Sequence, residues 1–369
     1  MTTEVTDIGV GTIRTGLLGG GFMARVHTAA ARAAGADLVG IATSTAAGGE
    51  QAARRLGYRR GEADVAELLD AVDIDVVHIC TPNATHAGLA RAVLESGRHV
   101  VCEKPLATSA ADARLLVTVA EERGLVGAVP FVYRYHPMVR EARARIARGD
   151  LGVILTVDAA YLQDWMLLPS DDDWRADGAA GGPSRAFADI GSHLFDLIEF
   201  VSGERVRRVF AQTRRVYDER GEGRAVPNED IAAVLFQLGD LGVGTALVSQ
   251  MAAGRKNALT IEFHGSARSI RFEQERPEEL WIGDRASSQL LLRDPATALP
   301  DAARLQRVPA GHPMGYQDAF DAFVADVYAA VAGAAPEGLP TFADGLRAAV
   351  ITEAVLASAN AEAWTEVPA

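Results

Sequence analysis

Short apolar segments alternate with amphipathic, helix-like segments through the first third of the chain, and this alternation restricts the fold more than any other feature. The apolar segments are nearly continuous, which is typical of parallel strands buried on both faces by crossover helices. Helical character is found at 84–96 and 109–123. The sequence therefore predicts an α/β domain, a doubly wound parallel sheet, over residues 1–130. Its strands are expected at 13–18, 38–42, 76–80, 99–102 and 126–129.

The pattern changes after Pro130, where segments rich in β-branched residues follow a polar-faced helix predicted at 137–148. Turn signals such as Gly239-Asp240 separate the later segments, which favours hairpins and an antiparallel sheet. A length of 369 residues also exceeds what one ordinary core serves. We therefore expect residues 131–369 to form an α+β domain with a large, mainly antiparallel open sheet. Its last helix, at about 342–363, is expected to pack back on the N-terminal domain. The strand segments lie at 153–161, 206–216, 231–238, 243–251 and 258–264.

The charge balance limits the partners that the protein can bind. The 36 Lys and Arg residues are outnumbered by 49 Asp and Glu, for a formal net charge of −13. Nucleic acids and anionic membranes attract basic surfaces, so neither is expected as a partner. Cys80 and Cys102 are too few for a disulfide framework or a Cys-rich zinc site. Residues 1–4 do not resemble a leader and no apolar run approaches membrane-spanning length, so we expect a cytoplasmic protein.

A glycine-rich turn follows the first predicted strand. Residues 19–24 read Gly-Gly-Gly-Phe-Met-Ala, a G-x-G-x-x-A pattern at the start of a helix. Glycines suit a tight turn that approaches a pyrophosphate, and the helix N-terminus offers unpaired N–H groups and a positive dipole. In this position the pattern predicts a dinucleotide site. Its contact residues are expected to be Gly19, Gly21, Phe22 and Met23.

The end of the second predicted strand bears on the choice of nicotinamide cofactor. In NAD-binding sites a carboxylate about 20 residues after the glycines binds the ribose hydroxyls. This chain has Thr43 and Ser44 at that place and no carboxylate before Glu50. Small hydroxyl residues can accommodate a 2′-phosphate, but no arginine follows the strand directly. NAD and NADP therefore both stay open, with a slight preference for NADP.

Polar residues also follow two further predicted strands, at the edge where open parallel sheets bind their ligands. Asn83 could equally cap a helix N-terminus. Lys104 is less easily explained as a solvated lysine, because its loop faces the cofactor. The residues expected at the cofactor are Thr81, Pro82, Asn83 and His86 after strand four, and Glu103 and Lys104 after strand five.

Taken together, these motifs resemble those of the Gfo/Idh/MocA oxidoreductases, the glucose-fructose oxidoreductase and inositol dehydrogenase relatives. The resemblance extends over nearly the whole chain and implies a Rossmann domain followed by an open-faced antiparallel sheet domain. That second domain usually serves homo-oligomerisation, so a homodimer or homotetramer is expected. The resemblance also implies that Lys104 lies beside the nicotinamide, that Asp189 is a substrate-side carboxylate and that His193 is an acid/base. The matching residues are Gly19, Gly21, Ala24 and His27; Thr81, Pro82, Asn83 and His86; Glu103, Lys104 and Pro105; Gly181 and Gly182; and Asp189, Gly191 and His193.

The chemistry of alcohol oxidation agrees with these roles. Asp189 and His193 are four residues apart in a predicted helix, so they lie one turn from each other on one side. The reaction removes a proton from oxygen as hydride leaves carbon, and an imidazole that titrates near neutral pH suits as the base. A cationic Lys104 would stabilise the developing alkoxide and could relay the proton. The alternatives are that His193 is a core histidine and that Asp189 is a helix N-cap. No metal is expected at this pair, because further ligands of the right kind are missing nearby.

Residues 161–165, Tyr-Leu-Gln-Asp-Trp, are similar to a stretch in some sugar dehydrogenases of this family. This similarity implies a pyranose or an anhydrosugar as substrate. Sugar sites combine polar groups with flat apolar faces. The tryptophans could instead be core residues, and Arg134 could begin a solvated helix. The candidates for substrate binding are Tyr133, Arg134, Gln163, Trp165, Trp174, Arg175 and His312.

Three functions are compatible with the sequence. The first is an NAD(P)-dependent dehydrogenase that acts on a secondary hydroxyl of a sugar, anhydrosugar or polyol. The second is a redox-neutral lyase or glycosidase that uses tightly bound nicotinamide, and the third is a non-catalytic dinucleotide sensor. The presence of Lys104, Asp189 and His193 together favours an enzyme, and among enzymes we favour the dehydrogenase.

Overall fold

The computed structural model describes residues 12–70 and 73–369. The expectation drawn from residues 1–4 therefore lies outside the described residues. Within the described ranges, no helix has both the length and the apolar character needed to cross a membrane. In the same ranges, no group of three or more His, Cys, Asp or Glu side chains could hold a metal ion.

The N-terminal sheet is parallel and doubly wound, which confirms the predicted fold class. Its strands are β1 (Arg14–Leu18), β2 (Asp37–Ala42), β3 (Arg60–Glu62), β4 (Val76–Ile79), β5 (His99–Cys102) and β6 (Gly127–Ala128). Its helices are α1 (Phe22–Ala33), α2 (Ala46–Leu56), α3 (Val65–Asp70), α4 (His86–Glu95) and α5 (Ala110–Arg123). The strand order is β3-β2-β1-β4-β5-β6, with all neighbours parallel. The short strand β3 was not predicted, because three residues are too few to show a pattern.

Local sequence explains where these elements begin and end. Helix α5 begins where the Ser109 hydroxyl accepts a hydrogen bond from the N–H of Asp112, and it ends at Gly124, which is left-handed with φ of 64°. Strand β4 is buried at every position, as expected for a central strand covered on both faces.

The second half forms a nine-stranded sheet with helices on one side. Its helices are α6 (Pro137–Ala147), α7 (Gly178–Gly181), α8 (Ser192–Ser202), α9 (Pro300–Ala303), α10 (Tyr316–Val331) and α11 (Phe342–Ala361). Its strands are β7 (Ile154–Leu162), β8 (Val206–Arg214), β9 (Glu219–Arg220), β10 (Arg224–Ala225), β11 (Ile231–Leu238), β12 (Gly242–Ser249), β13 (Ala258–Gly265), β14 (Ser269–Glu273), β15 (Glu279–Gly283), β16 (Ser288–Leu292) and β17 (Thr365–Glu366). The order is β16-β15-β14-β13-β7-β12-β11-β8-β17, while β9 and β10 form a separate pair. Neighbours in the large sheet are antiparallel except β7 and β12, so the predicted, mainly antiparallel sheet is confirmed.

One face of this sheet is buried and the other is open. Side chains along β11 and β12 alternate between buried and exposed or half-buried positions, as the two-residue period of a strand requires. Helices α8 and α11 pack against the sheet. On the opposite face the apolar side chains of Leu235, Val243 and Leu247 are exposed.

Two helices of the second half lie against the N-terminal domain. Helix α10 packs on α1, and α11 packs on α5. The sequence analysis assigned no element to 316–331, although Phe320, Phe323, Val324 and Val327 recur there at helical spacing. Because of this packing, the cleft between the two sheets is bordered by residues from distant parts of the chain.

Candidate functional site

The glycine turn after β1 has the geometry that a dinucleotide needs. Gly19 has φ of +112°, and a Cβ there would lie 2.4 Å from the carbonyl oxygen of Cys80. At Gly21 a Cβ would meet nothing within 4 Å, so open space lies in front of the turn. Gly21 precedes α1 and no side chain caps that helix, which leaves its first N–H groups free for a ligand. The turn therefore fits a pyrophosphate group.

An arginine that the sequence analysis did not consider lies at this turn. Arg55, on the last turn of α2, donates from Nη2 to the carbonyl oxygen of Gly20 at 2.5 Å. Thr43 and Ser44 follow β2, and a Cβ at Gly20 would lie 3.2 Å from the Thr43 methyl group. The guanidinium, the glycine turn and the end of β2 are therefore neighbours. Arg55 was not predicted as part of the cofactor site, because it does not follow the end of β2 directly in the sequence.

Lys104 follows β5 and makes an ion pair with Asp189 across the cleft. The Lys104 Nζ lies 2.6 Å from Asp189 Oδ1 and 3.0 Å from its backbone oxygen. Gln250 Nε2 donates to the other carboxylate oxygen at 2.8 Å, and Arg175 Nε lies 3.3 Å from Oδ1. Burial alone would raise the pKa of Asp189, but the charges of Lys104 and Arg175 outweigh it and hold that pKa well below its ordinary value. Asp189 is therefore a carboxylate anion that bridges the two halves of the molecule.

His193 lies in the first turn of α8, directly after a π-helical turn at Phe187–Gly191. Its ring packs edge-on against Phe131 and Tyr133, with centroids 5.6 Å and 5.1 Å away. Burial, followed by the charge of Lys104, lowers the pKa of His193 to about 3. The expectation of an imidazole that titrates near neutral pH is corrected, because the apolar surroundings disfavour the cation. The ring is neutral at pH 7 and able to accept a proton.

Asp189 and His193, one helical turn apart, do not hydrogen-bond each other. Among the described residues, His193 Nδ1 has no hydrogen-bond partner. Both oxygens of Asp189 are occupied by Lys104, Arg175 and Gln250. Asp189 therefore orients the lysine, and His193 is oriented by its aromatic neighbours.

A closed hydrogen-bond network forms one wall of the cleft. The Tyr133 and Tyr161 hydroxyls are 2.6 Å apart, Tyr161 donates to Asn257 Oδ1 at 2.7 Å, and Asn257 Nδ2 donates back to Tyr133 at 3.1 Å. Gln163 donates to the same Asn257 oxygen at 2.9 Å and accepts from Trp165 at 2.7 Å. The amide fixes every direction, because its oxygen only accepts and its nitrogen only donates. Asn257 was missed by the sequence analysis, since a lone asparagine before β13 gives no signal.

These groups border one cleft of about 820 Å³, counted to its open mouth. It brings together all three predicted catalytic residues and several of the predicted binding residues. Tyr316 and Phe320 of α10, which the sequence analysis did not consider, also line it. The predicted residues that line the cleft are Phe22, Met23, Glu103 and Lys104 from the first half, and Tyr133, Gln163, Arg175, Asp189 and His193 from the second.

Other predicted substrate residues lie elsewhere. The Arg134 guanidinium is buried and paired with Asp196 and Asp344, so the structure places it in a different cavity, lined also by those carboxylates. Arg134 does not line the cleft, and its Nε and Nη2 atoms are bound to carboxylates, so the substrate role expected for Arg134 is corrected. His312 is exposed, and its hydrogen bonds are made by its backbone, whose oxygen accepts from Arg293 and whose N–H donates to Pro309. The substrate role expected for His312 is therefore also without support in the cleft.

Trp165 and Trp174 take up positions near the cleft wall. Trp165 is partly exposed and donates to Gln163, which lines the cleft. Trp174 stacks under the Arg175 guanidinium at 4.4 Å. Trp174 thus supports Arg175, and its contact with a substrate stays a prediction.

The predicted cofactor residues after β4 mainly make hydrogen bonds to neighbouring loops. His86 is buried, and its two ring nitrogens lie 2.7 Å and 2.8 Å from the carbonyl oxygens of Pro105 and Thr81. Asn83 is buried and donates to the carbonyl oxygen of Gly181, so it does not cap the helix. Thr81 bonds the Thr85 hydroxyl at 2.7 Å, and Pro82 is exposed. His86 therefore holds the loop that carries the lysine, and its predicted role as a direct cofactor contact is corrected.

Comparison with known proteins identifies relatives of the chain. Residues 13–131 match the family described as oxidoreductases with an NAD-binding Rossmann fold, and residues 139–271 match the GFO/IDH/MocA C-terminal domain. The chain is 32% identical to levoglucosan dehydrogenase of Pseudarthrobacter phenanthrenivorans, over 96% of this chain and 98% of that protein. A levoglucosan dehydrogenase structure with NADH and L-sorbose superimposes with a TM-score of 0.91 at 31% identity, over 97% of this chain and 100% of that one. An inositol dehydrogenase homologue from Azotobacter vinelandii with NAD⁺ gives a TM-score of 0.89 at 28% identity, over 97% and 98%.

Proposed function

The chain belongs to the Gfo/Idh/MocA family of oxidoreductases, and we propose that it is a dehydrogenase acting on a secondary hydroxyl of a sugar, anhydrosugar or polyol. One observation carries the proposal. Lys104 from the N-terminal half and His193 from the C-terminal half line the same cleft, next to a glycine turn that fits a pyrophosphate.

The residues of the chain divide the proton and charge handling between them. A bound nicotinamide supplies the hydride acceptor, and the alcohol carbon becomes a carbonyl as its hydroxyl proton leaves. The Lys104 ammonium stabilises negative charge that develops on the substrate oxygen, and Asp189 and Gln250 hold it in place. As hydride leaves and the hydroxyl becomes strongly acidic, neutral His193 takes up the proton transiently, directly or by relay through Lys104, and its low pKa returns that proton to solvent.

The wall of tyrosines and amides supports a neutral polyhydroxyl substrate. Tyr133, Gln163 and Asn257 offer donors and acceptors whose directions are already set, and Trp165 adds a flat, partly exposed ring. Sugar hydroxyls and C–H faces match such a surface. Levoglucosan dehydrogenase among the relatives is named for an anhydrosugar, which makes anhydrosugars the first substrates to try.

The cofactor preference proposed here is NADP over NAD, by a small margin. The end of β2 carries Thr43 and Ser44 in place of a carboxylate, and Arg55 brings a cation to the neighbouring glycine turn. A guanidinium can bind a 2′-phosphate in two hydrogen bonds. Arg55→Ala should therefore lower the ratio of kcat/KM for NADP to that for NAD, and an unchanged ratio would remove Arg55 from this role.

The protein is further proposed to form a homodimer or homotetramer through the open face of the nine-stranded sheet. Leu235, Val243 and Leu247 expose apolar side chains on neighbouring strands there. A contiguous apolar patch on a sheet favours association. Light scattering of the purified protein measures its mass, and a monomer at micromolar concentration would contradict this.

The decisive experiment measures reduced-cofactor absorbance with NAD and NADP against monosaccharides, anhydrosugars and inositols. Lys104→Met should lower kcat about 10²- to 10³-fold, and His193→Gln about 10²- to 10⁴-fold. The matched control is Lys256→Met, since Lys256 is an exposed lysine paired with Asp164. Near-normal turnover in both site variants would refute the mechanism. If the cofactor copurifies and product forms without reduced nicotinamide, the redox-neutral enzyme is favoured. If the protein binds cofactor and sugar without any turnover, the non-catalytic sensor is favoured.

A further inference from the structure

A buried chain of hydrogen bonds runs from the cleft into the N-terminal domain, and the proposed mechanism does not use it. Glu103 Oε1 lies 2.9 Å from His27 Nε2, and the Nδ1 atoms of His27 and His78 are also 2.9 Å apart. His78 Nε2 lies 3.0 Å from the Tyr328 hydroxyl, which lies 2.8 Å from that of Thr15. His27, His78 and Thr15 are fully buried, and Tyr328 is buried as well. Four elements of the fold, α1, β1, β4 and α10, thus contribute to one polar chain.

The chemistry of the groups gives this chain one direction when both imidazoles are neutral. A carboxylate only accepts, so His27 carries its proton on Nε2 and its Nδ1 is an acceptor. His78 must then donate from Nδ1, and its Nε2 accepts from the Tyr328 hydroxyl. Burial, followed by the neighbouring His27, lowers the pKa of His78 well below its ordinary value, which agrees with a neutral ring. The two histidines therefore hold opposite tautomers, and every hydrogen bond points toward Glu103.

The end of the chain at Glu103 is next to the proposed catalytic lysine. The second carboxylate oxygen, Oε2, accepts from the backbone N–H of Lys104 at 3.0 Å, and Glu103 lines the cleft. Burial by itself raises the pKa of Glu103, but its hydrogen bond with His27 and the charge of Lys104 outweigh this and lower it. Both oxygens of Glu103 are thus held, one by the chain and one by the residue that carries the ammonium.

We propose that His27, His78 and Tyr328 are positioning residues for hydride transfer, which act through Glu103 on the backbone of Lys104. The proposal rests on the function proposed above, since it assumes that Lys104 acts on the substrate oxygen. The chain orients Glu103, and Glu103 fixes the point from which the Lys104 side chain reaches Asp189. Among the described residues, buried Thr15 is the last member of this hydrogen-bond chain, so the chain does not open to solvent at that end. Its role is therefore to orient Glu103.

The first test reads the tautomers without any turnover. In ¹⁵N-histidine-labelled protein at pH 7.5, the ring nitrogen shifts distinguish a protonated Nδ1 from a protonated Nε2. Each signal is assigned by its loss in His27→Asn or His78→Asn. The expected result is the Nε2–H tautomer at His27 and the Nδ1–H tautomer at His78. The same tautomer in both rings, or a doubly protonated His27, would overturn the proposal.

The second test is a double-mutant cycle on turnover. Tyr328→Phe removes one hydroxyl and keeps the ring, and it should lower kcat about fivefold, the scale of one net hydrogen bond, with KM for substrate little changed. Tyr58→Phe is the matched control, because Tyr58 is a buried tyrosine of the N-terminal domain whose hydroxyl bonds Thr28 and lies outside this hydrogen-bond chain.

In a Glu103→Gln background the effect of Tyr328→Phe should fall below twofold, because residues that act through one group do not add. A fivefold loss that persists there would show a general structural effect, and an unchanged kcat in Tyr328→Phe would show no effect at all. Either result overturns the proposal. If Lys104→Met keeps normal turnover, the proposed function fails instead, while the tautomers can still be read.

Discussion

The neutral state of His193 can be tested through the pH dependence of stability. The unfolded chain binds a proton on this residue at its ordinary pKa of 6.5, whereas the folded protein refuses it until about pH 3. As pH falls below 6.5, the unfolded state therefore binds more protons than the folded state, and the stability contributed by neutral His193 is progressively lost down to about pH 3. Each pH unit in this window costs about 1.4 kcal/mol. Between pH 7 and pH 5 the loss is about 2 kcal/mol.

His193→Asn removes this titration and leaves the other histidines in place. The free energy of unfolding should thus fall about 2 kcal/mol more in the wild type than in the variant on going from pH 7 to pH 5. Urea denaturation at both pH values and one protein concentration measures the difference. In a Lys104→Met background the difference should persist, because burial, the larger cause, remains. Equal pH dependence of wild type and His193→Asn, or a His193 ring proton that titrates near pH 6.5 in the folded protein, would refute the reasoning.

Two further substitutions separate the cofactor site from buried structural pairs. Gly19→Ala forces a side chain onto a φ of +112° and places its Cβ 2.4 Å from the Cys80 carbonyl oxygen. The dissociation constant for the nicotinamide cofactor, measured by calorimetry, should therefore rise at least about tenfold. An unchanged affinity would contradict the assignment of this tight turn to cofactor binding. Arg134→Met removes the cation paired with Asp196 and Asp344, so it should lower the free energy of unfolding by about 3–5 kcal/mol. The kcat/KM per folded molecule should stay the same. A selective rise in KM for the substrate would instead support the substrate-binding role predicted for Arg134.

The structure bears out the fold class predicted from apolar runs and turn signals. Continuous apolar runs after residue 12 indicated strands buried on both faces, and β-branched segments separated by turn signals after residue 150 indicated hairpins. The glycine turn was also readable, because a left-handed φ at Gly19 restricts the residue type itself. Helix α10 was overlooked although its apolar residues recur at helical spacing. Its packing partner could not be predicted, because α1 lies almost 300 residues away in the chain.

The candidate site was predictable in its residue types and less so in its contacts. Lys104 and His193 were chosen by motif, and the cleft joins them. Arg134 was chosen for its charge next to two tyrosines, but the carboxylates that claim it come from α8 and from α11. No residue near Arg134 in the sequence indicates that Asp196 or Asp344 is its partner. A charged side chain selects its partner by distance in space, and burial makes that choice strong.

The amino-acid sequence by itself therefore determined the two sheets, the turn that fits a pyrophosphate and the kinds of groups available for chemistry. These depend on local constraints, namely backbone conformation and the period of burial. Only the tertiary structure decided that Asp189 pairs with Lys104, that His193 is neutral and that two buried histidines point toward Glu103. Protonation states and hydrogen-bond directions depend on which groups surround a side chain and how little water reaches it, and those surroundings are assembled from segments far apart in the chain.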